Sequence, residues 1–216
     1  MKVLFYTGYQ KNQWDGNTTS GIAGSEIAVI KIAEKLVQFG YHVVVSGDVK
    51  HSGKIRGVDY CHLGRIHEDH GDTFDIIVGT SYVHFALEFR SYYAKKIFWA
   101  HNTEAHHWYQ GEELDHDLVQ DMLSYEGNWI DVTVTLTHWH SWKWQDNYTW
   151  NKENQAKIGN GIDKSTFIGH PIKKINSFIW SSAIDRGLVE LLQNWPRIKD
   201  TLPAVSYTHL TLPTKA

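Results

Sequence analysis

Apolar residues in this chain fall into short continuous runs that alternate with longer stretches where they recur every three or four positions. Lys2–Tyr6 (KVLFY) is a β-branched and aromatic run feeding a polar, glycine-containing loop, Thr7–Gly24, and so predicts a strand. Ser25 and Glu26 open a segment in which Ile27, Ile30, Ala33, Leu36 and Val37 predict one helical stripe, stopped at Gly40. The valines of His42–Ser46 (HVVVS) lack polar alternation, as expected of a strand covered on both faces in a parallel sheet. Phe74–Val78, Lys96–Trp99 and Asp131–Leu136 predict further strands. Helices are predicted near Val83–Arg90, around Leu118–Tyr125 and over Thr137–Trp144, the last presenting Trp139 and Trp142. Gly47–Asp72 is rich in Gly, His and charge, with a small strand or edge hairpin near Val58–Leu63.

This alternation predicts an α/β fold, an open doubly wound sheet over residues 1–157. Asn151–Lys157 is polar, and Ile158-Gly159-Asn160-Gly161-Ile162-Asp163 has the turn chemistry of a domain junction. Beyond it, Ser177–Trp180 predicts a strand and Arg186–Asn194 a helix closed before Pro196. Residues 158–204 therefore read as the junction and the opening of a second α/β domain, with too little chain to complete it. Val205–Thr214 (VSYTHLTLPT) resembles a translated transposase mosaic-end sequencing adapter. Residues 205–216 are accordingly expected to be a non-native tail, and the second domain a truncated one.

Composition narrows the function. The 21 Lys+Arg against 24 Asp+Glu give a net charge of -3, and the lysine pairs are scattered, so no nucleic-acid footprint is present. A single cysteine, Cys61, excludes an intramolecular disulfide and a thiolate metal cluster. No apolar run approaches the roughly eighteen residues a bilayer span needs, so the protein is expected in the cytoplasm, with membrane contact at most peripheral at the inner face. Much of the aromatic content, 10 Trp and 11 Tyr, falls in Trp99–Trp150, which suggests a surface facing a cleft, another domain or a partner.

Three constellations could carry chemistry. Gly21-Ile22-Ala23-Gly24-Ser25-Glu26 is a glycine-containing turn into a helix, where backbone N–H groups favour a phosphate or a sugar hydroxyl. The chain has neither G-x-G-x-x-G nor G-x-x-x-x-G-K-[ST], which disfavours nicotinamide dinucleotides and Walker-type nucleotide hydrolysis. His101 lies just past a strand, on the side where open α/β sheets bind ligands, and could hydrogen-bond a sugar hydroxyl or share a proton. Asn102, Thr103 and Glu104 add polar contacts in the same loop. Arg186-Gly187 sets a cation beside flexible backbone, suited to neutralising a diphosphate leaving group. His106, His107 and His116 with Glu104, Glu112, Glu113 and Asp115 lack H-E-x-x-H, so no metal is expected and the segment reads as a solvated acidic loop. His138 and His140 read as helix-start and packing residues.

In order and spacing these features resemble the group 1 (GT4-like) glycosyltransferases of the GT-B fold over residues 1–204. The likeness rests on the Gly-Ser-Glu helix start, His101 after the fourth clear strand, Asn160-Gly161-Ile162-Asp163, and Ser181-Ser182-x-x-Asp185-Arg186-Gly187-Leu188 with Leu191-Leu192-x-x-Trp195-Pro196. It implies two facing Rossmann-like domains, one on the acceptor side and one binding a nucleotide-sugar donor. It implies transfer to a glycan or lipid-linked acceptor, with retention and without an essential metal or cofactor, in polysaccharide biosynthesis. Gly24 matches the glycine near the donor phosphates, with Ser25 and Glu26 continuing that helix start. His101 matches the histidine by the acceptor and the transferred sugar, and Arg186 with Gly187 matches the group that meets the diphosphate. Ala23 replaces the first glycine of a common pair, and the family's two glutamates seven residues apart have no counterpart, so the chain is expected to have negligible transferase activity. The alternative is a non-catalytic carbohydrate-binding α/β domain. A nucleoside-diphosphate epimerase is opposed by the lack of its glycine start and of a Tyr-x-x-x-Lys pair.

Overall fold

A computed structural model of the protein describes residues 1–9, 12–19, 21–105, 108–109, 112–123, 129–148, 154–162, 164, 169, 175–180 and 187–209. The chain divides into two compact units, Met1–Gly161 and Ile162–Ala216. The first unit contains β1 (Lys2–Tyr6), α1 (Gly24–Gln38), β2 (His42–Gly47), β3 (Gly53–Ile55), β4 (Val58–His62), α2 (Ile66–His70), β5 (Ile76–Thr80) and α3 (Phe85–Glu88). It continues with β6 (Lys95–Trp99), β7 (Trp108–Tyr109), β8 (Glu112–Glu113), α4 (His116–Leu123), β9 (Val132–Thr135), α5 (His138–Asn147) and β10 (Gln155–Lys157).

Eight strands form one sheet in the order β10-β9-β6-β5-β1-β2-β4-β3, parallel except for β3. The run β4-β2-β1-β5-β6-β9 is the doubly wound order, and its direction reverses between β1 and β5. Successive residues of a strand point to opposite faces, which explains why these runs are apolar throughout. Val3, Phe5, Val43, Val45, Val78 and Trp99 pack with Val29, Ile30 and Ala33 of α1. Leu4, Tyr6, Val44, Ile77 and Phe98 pack on the other face with Phe85, Met122 and Trp144. Trp14 is fully buried and bridges to Val49, so the loop after β1 is tied down rather than free.

Several elements differ from the sequence expectation. In α1 the buried positions are Glu26, Val29, Ile30 and Ala33, while Ile27 is 47% exposed. The buried set has helical spacing of three and four, and Ile27 falls roughly 100° from Glu26, beside that stripe. The strand expected at Phe74–Val78 is displaced toward the C-terminus, because Gly79 and Thr80 continue the ladder opposite Tyr6, Phe98 and Trp99. The Val58–Leu63 region agrees with expectation: it is one arm of an edge hairpin whose turn places Arg56 and Gly57 at positive φ. The polar stretch before the junction contains β10, a three-residue strand paired with β9.

In the second unit, β11 (Ser177–Trp180) and β12 (Ser206–His209) pair in parallel, with α6 (Leu188–Thr201) between them in sequence. The helix continues through Pro196 rather than closing before it. Proline lacks one N–H donor, but its fixed φ is already near the helical value. Ser206–His209, set aside as tail in the sequence reading, supplies β12. Phe178 and Trp195 meet edge to face at 6.1 Å, whereas Ile175, Phe178, Ile179 and Leu192 are exposed.

Candidate functional site

Parallel strands aim their C-terminal ends at one edge of the sheet, and the loops leaving that edge carry the residues singled out above. After β1, Gly8 has φ 67°, and a side chain there would collide with the ring of Tyr82, which follows β5. These two loops flank the point where strand order reverses, the usual position of a ligand crevice in such sheets. Tyr82 was not singled out from the sequence, since nothing local marks a tyrosine after a strand as facing another loop. Its hydroxyl is pushed above its ordinary pKa by burial and by the nearby charge of Glu26.

Gly24 and Ser25 form the first turn of α1. Ala23 is the N-cap, with φ -83° and ψ 174°, and its backbone is compatible with any residue. No side chain caps this end, and a Cβ on Gly24 would meet nothing within 4 Å. The Ser25 hydroxyl donates to Glu26 Oε2 at 3.0 Å, so a carboxylate already complements the positive end of the helix.

His101 lies two residues beyond β6. Its ring packs against Trp99 with centroids 4.5 Å apart, and its Nε2 is buried without a hydrogen-bond partner among the described residues. Trp99 Nε1 and Thr135 Oγ1, at the ends of β6 and β9, are buried and unpartnered as well. Each such group costs about 1–3 kcal/mol of lost solvation, so three at adjacent strand ends mark a place where a hydroxyl-bearing ligand would bring net gain. Burial, and secondarily the proximity of His140, pushes the His101 pKa down to about 4. The imidazole is therefore neutral at pH 7, able to exchange hydrogen bonds with a hydroxyl and carrying no charge to repel a cation.

The same shift predicts a pH dependence. An unfolded His101 takes up its proton near pH 6.5, but the folded protein does so only near pH 4. Between those values the unfolded state binds more protons, so stability falls as the pH drops through the window. With the ring only partly buried and therefore screened, the expected loss is on the order of 2 kcal/mol. Urea unfolding at pH 7 and pH 4 checks this, with His101→Gln losing correspondingly less stability than the parent.

The other expected residues separate. Asn102 has an exposed side chain, and the group engaged is its backbone carbonyl, which accepts from His140 Nε2 at 2.6 Å and from Trp144 Nε1 at 2.7 Å. Glu104 is exposed and lines an open cavity of about 670 Å³ with Glu113, His116, Asp146 and Tyr148, a set that does not include His101. Gly187 is the N-cap of α6, with φ 88° and ψ 10°, a left-handed conformation that favours glycine. Arg186, with Ser181, Ser182, Asp163, His106 and His107, lies outside the described residues. Among the described residues no three His, Cys, Asp or Glu side chains gather so as to hold a metal ion, and no helix is long and apolar enough to cross a membrane.

His140, read from the sequence as a helix-start and packing residue, is both: it lies in the first turn of α5 and is buried. Thr137 caps α5, its hydroxyl accepting from the His140 N–H at 3.0 Å, and His140 Nδ1 accepts from the N–H of Leu136 at 3.1 Å. The cap is one half of a capping box, because the ring reaches past Thr137 to the N–H of the residue before it. The T-x-x-H spacing was the available signal.

No protein-family model and no curated protein sequence matches the chain. Among solved structures it is similar to the lipopolysaccharide outer core galactosyltransferase WaaB in its apo form, with a TM-score of 0.56 and 10% sequence identity. The similarity covers 98% of this chain and 68% of that one. WaaB is a glycosyltransferase of the GT-B type, and at this identity the likeness is one of fold: a mixed α/β architecture on a central parallel sheet.

Proposed function

We propose that this chain belongs to a glycosyltransferase that moves a sugar from a nucleotide-sugar donor to a glycan or lipid-linked acceptor. The observation that supports it most is a neutral, partly buried imidazole with an unsatisfied Nε2 at the C-terminal edge of a doubly wound sheet, in a chain with the fold of a GT-B glycosyltransferase. In this reading the first unit is the acceptor side. His101 exchanges hydrogen bonds with a hydroxyl of the transferred sugar, and Asn102 and Glu104 contact the acceptor. Gly24 and Ser25 admit donor phosphate oxygens to the uncapped start of α1. Arg186 with Gly187 meets the donor diphosphate. Residues 158–204 begin the donor-binding domain.

The finer reading is GT4-like transfer with retention, no bound metal and no cofactor beyond the nucleotide-sugar co-substrate, in cytoplasmic polysaccharide assembly with peripheral contact at the inner membrane face. The 216-residue chain itself transfers negligible sugar, because Glu190 is the sole glutamate after Gly187 and no pair is present to grip the nucleotide and sugar. The test is titration of the chain, in chelator, with UDP-, GDP- and ADP-sugars, following the Trp99 indole and His101 ring by NMR and transfer of labelled sugar in parallel. One donor class is expected to shift both residues saturably, with no turnover. If an oligosaccharide shifts the protein and no nucleotide-sugar does, the carbohydrate-binding alternative replaces this reading. Trp139 and Trp142, 57% and 59% exposed on α5, favour that second reading, since such rings stack on sugar faces.

A further inference from the structure

The segment that carries His101 is irregular, and repetitive hydrogen bonding does not fix its path. The Ala100 N–H before it donates to the Val134 carbonyl of β9 at 2.9 Å, and further anchors come from α5 and the residue that follows it. The Asn102 carbonyl accepts from His140 Nε2 at 2.6 Å and Trp144 Nε1 at 2.7 Å. The Thr103 carbonyl accepts from Asn147 Nδ2 at 3.1 Å, and the Ala105 N–H donates to the Tyr148 hydroxyl at 2.9 Å. His140 is itself fastened to the end of β9 through Leu136.

The hydrogen-bond pattern fixes the tautomer. Because Nδ1 accepts from the Leu136 N–H, the proton of a neutral His140 ring sits on Nε2, which donates to Asn102. The Trp144 indole also lies 2.9 Å from that nitrogen, but a protonated Nε2 offers no lone pair, so the indole donates to the same carbonyl. Two donors four residues apart on one helix thus fill both lone pairs of one carbonyl. His140 is 5% exposed and Trp144 fully buried against Phe98 and Tyr148, so neither donor is free to swing.

We propose that His140 is a positioning residue for His101: with Trp144 it holds the carbonyl of Asn102 and thereby sets where the neighbouring imidazole stands at the edge of the sheet. The role ascribed to His101 rests on the glycosyltransferase reading; the positioning itself does not. Packing alone requires a ring-sized group at position 140 and an aromatic at 144. It does not require two N–H donors to converge on the carbonyl adjoining His101, nor a histidine whose second nitrogen ties that carbonyl to the neighbouring strand.

The test compares His140→Asn, His140→Gln and Trp144→Phe in the whole chain, without ligand. Asparagine keeps an amide near the Nδ1 position, for Leu136, but does not reach Asn102; glutamine restores an N–H donor near the Nε2 position. Both remove the same imidazole from beside His101, so any difference between them reports position rather than loss of the ring. The readouts are the titration midpoint of the His101 ring and the through-space NMR contact between the His101 and Trp99 rings, with thermal melting recorded alongside.

In His140→Asn the midpoint is expected to rise by about one pH unit above that of His140→Gln, and the contact with Trp99 to be lost. Trp144→Phe, which retains His140, is expected to shift both readouts in the same direction by a smaller amount. Equal midpoints and contacts in the two His140 variants, whatever their melting temperatures, overturn the proposal. Should His140→Asn not fold, Trp144→Phe decides, and parent-like values there overturn it. A chain that shows the expected shifts yet binds no nucleotide-sugar refutes the transferase reading and leaves the positioning intact.

Discussion

Trp144→Ala is expected to destabilise the protein by about 3–5 kcal/mol and to loosen the segment that carries His101. Trp144 is among the largest fully buried side chains, with its ring centroid 5.4 Å from that of Phe98 and 4.7 Å from that of Tyr148. Truncation removes the ring and leaves a cavity between a strand and a helix that are both held by their own backbone hydrogen bonds, so collapse around it is limited. It also removes one of the two donors to the Asn102 carbonyl. Trp144→Phe separates the contributions, since it keeps most of the aromatic volume and loses chiefly the hydrogen bond, for a cost of about 1 kcal/mol. Urea unfolding followed by circular dichroism reads both variants. A loss below about 1.5 kcal/mol for the alanine variant contradicts the packing described.

Gly79→Ala is expected to cost about 3 kcal/mol, although alanine is ordinarily the better residue inside a strand. Gly79 pairs with Tyr6 on one side and Phe98 on the other, so its backbone is fixed by two neighbours. A Cβ there runs into the ring of Phe85, well inside contact distance. Phe85 is fully buried and stacks on Phe98, with centroids 6.2 Å apart, so it has no open space to enter. Combining Gly79→Ala with Phe85→Leu is expected to cost less than the sum of the two single changes, because the smaller side chain makes room for the added methyl. Simple additivity in that cycle refutes the clash.

Gly79 also shows where the sequence was hard to read. Gly-Thr-Ser after an apolar run has the composition of a turn, yet the glycine is there because a phenylalanine six residues later occupies the space its side chain would fill. Such a constraint is tertiary and leaves no local periodicity. By contrast, β1 and β2 were legible because burial on both faces forces a continuous apolar run, and the α/β class follows from a few such runs. β10 was missed because Gln155-Ala156-Lys157 is an edge strand with one neighbour and no need of apolar residues on both faces. The place of His101 just past a strand was legible. The contact made by His140 was not, because its partner Asn102 lies 38 residues away and the contact is to a backbone carbonyl that any residue would supply. The α1 start was found, but the burial of Glu26 was not, since a carboxylate in a first helical turn is ordinarily a solvated one.

The two units end their sheets differently. The eight-stranded sheet is bordered by β3 and β10, each three residues long, with Lys54 and Lys157 exposed on them. Short, lysine-bearing borders are poor templates for another chain. Among the described residues the pair β11–β12 carries no lysine, and Phe178 and Ile179, 43% and 69% exposed, add apolar surface to it. This apolar border is thus one place where precipitation on concentration should begin, and a charged residue at Ile179 should delay it.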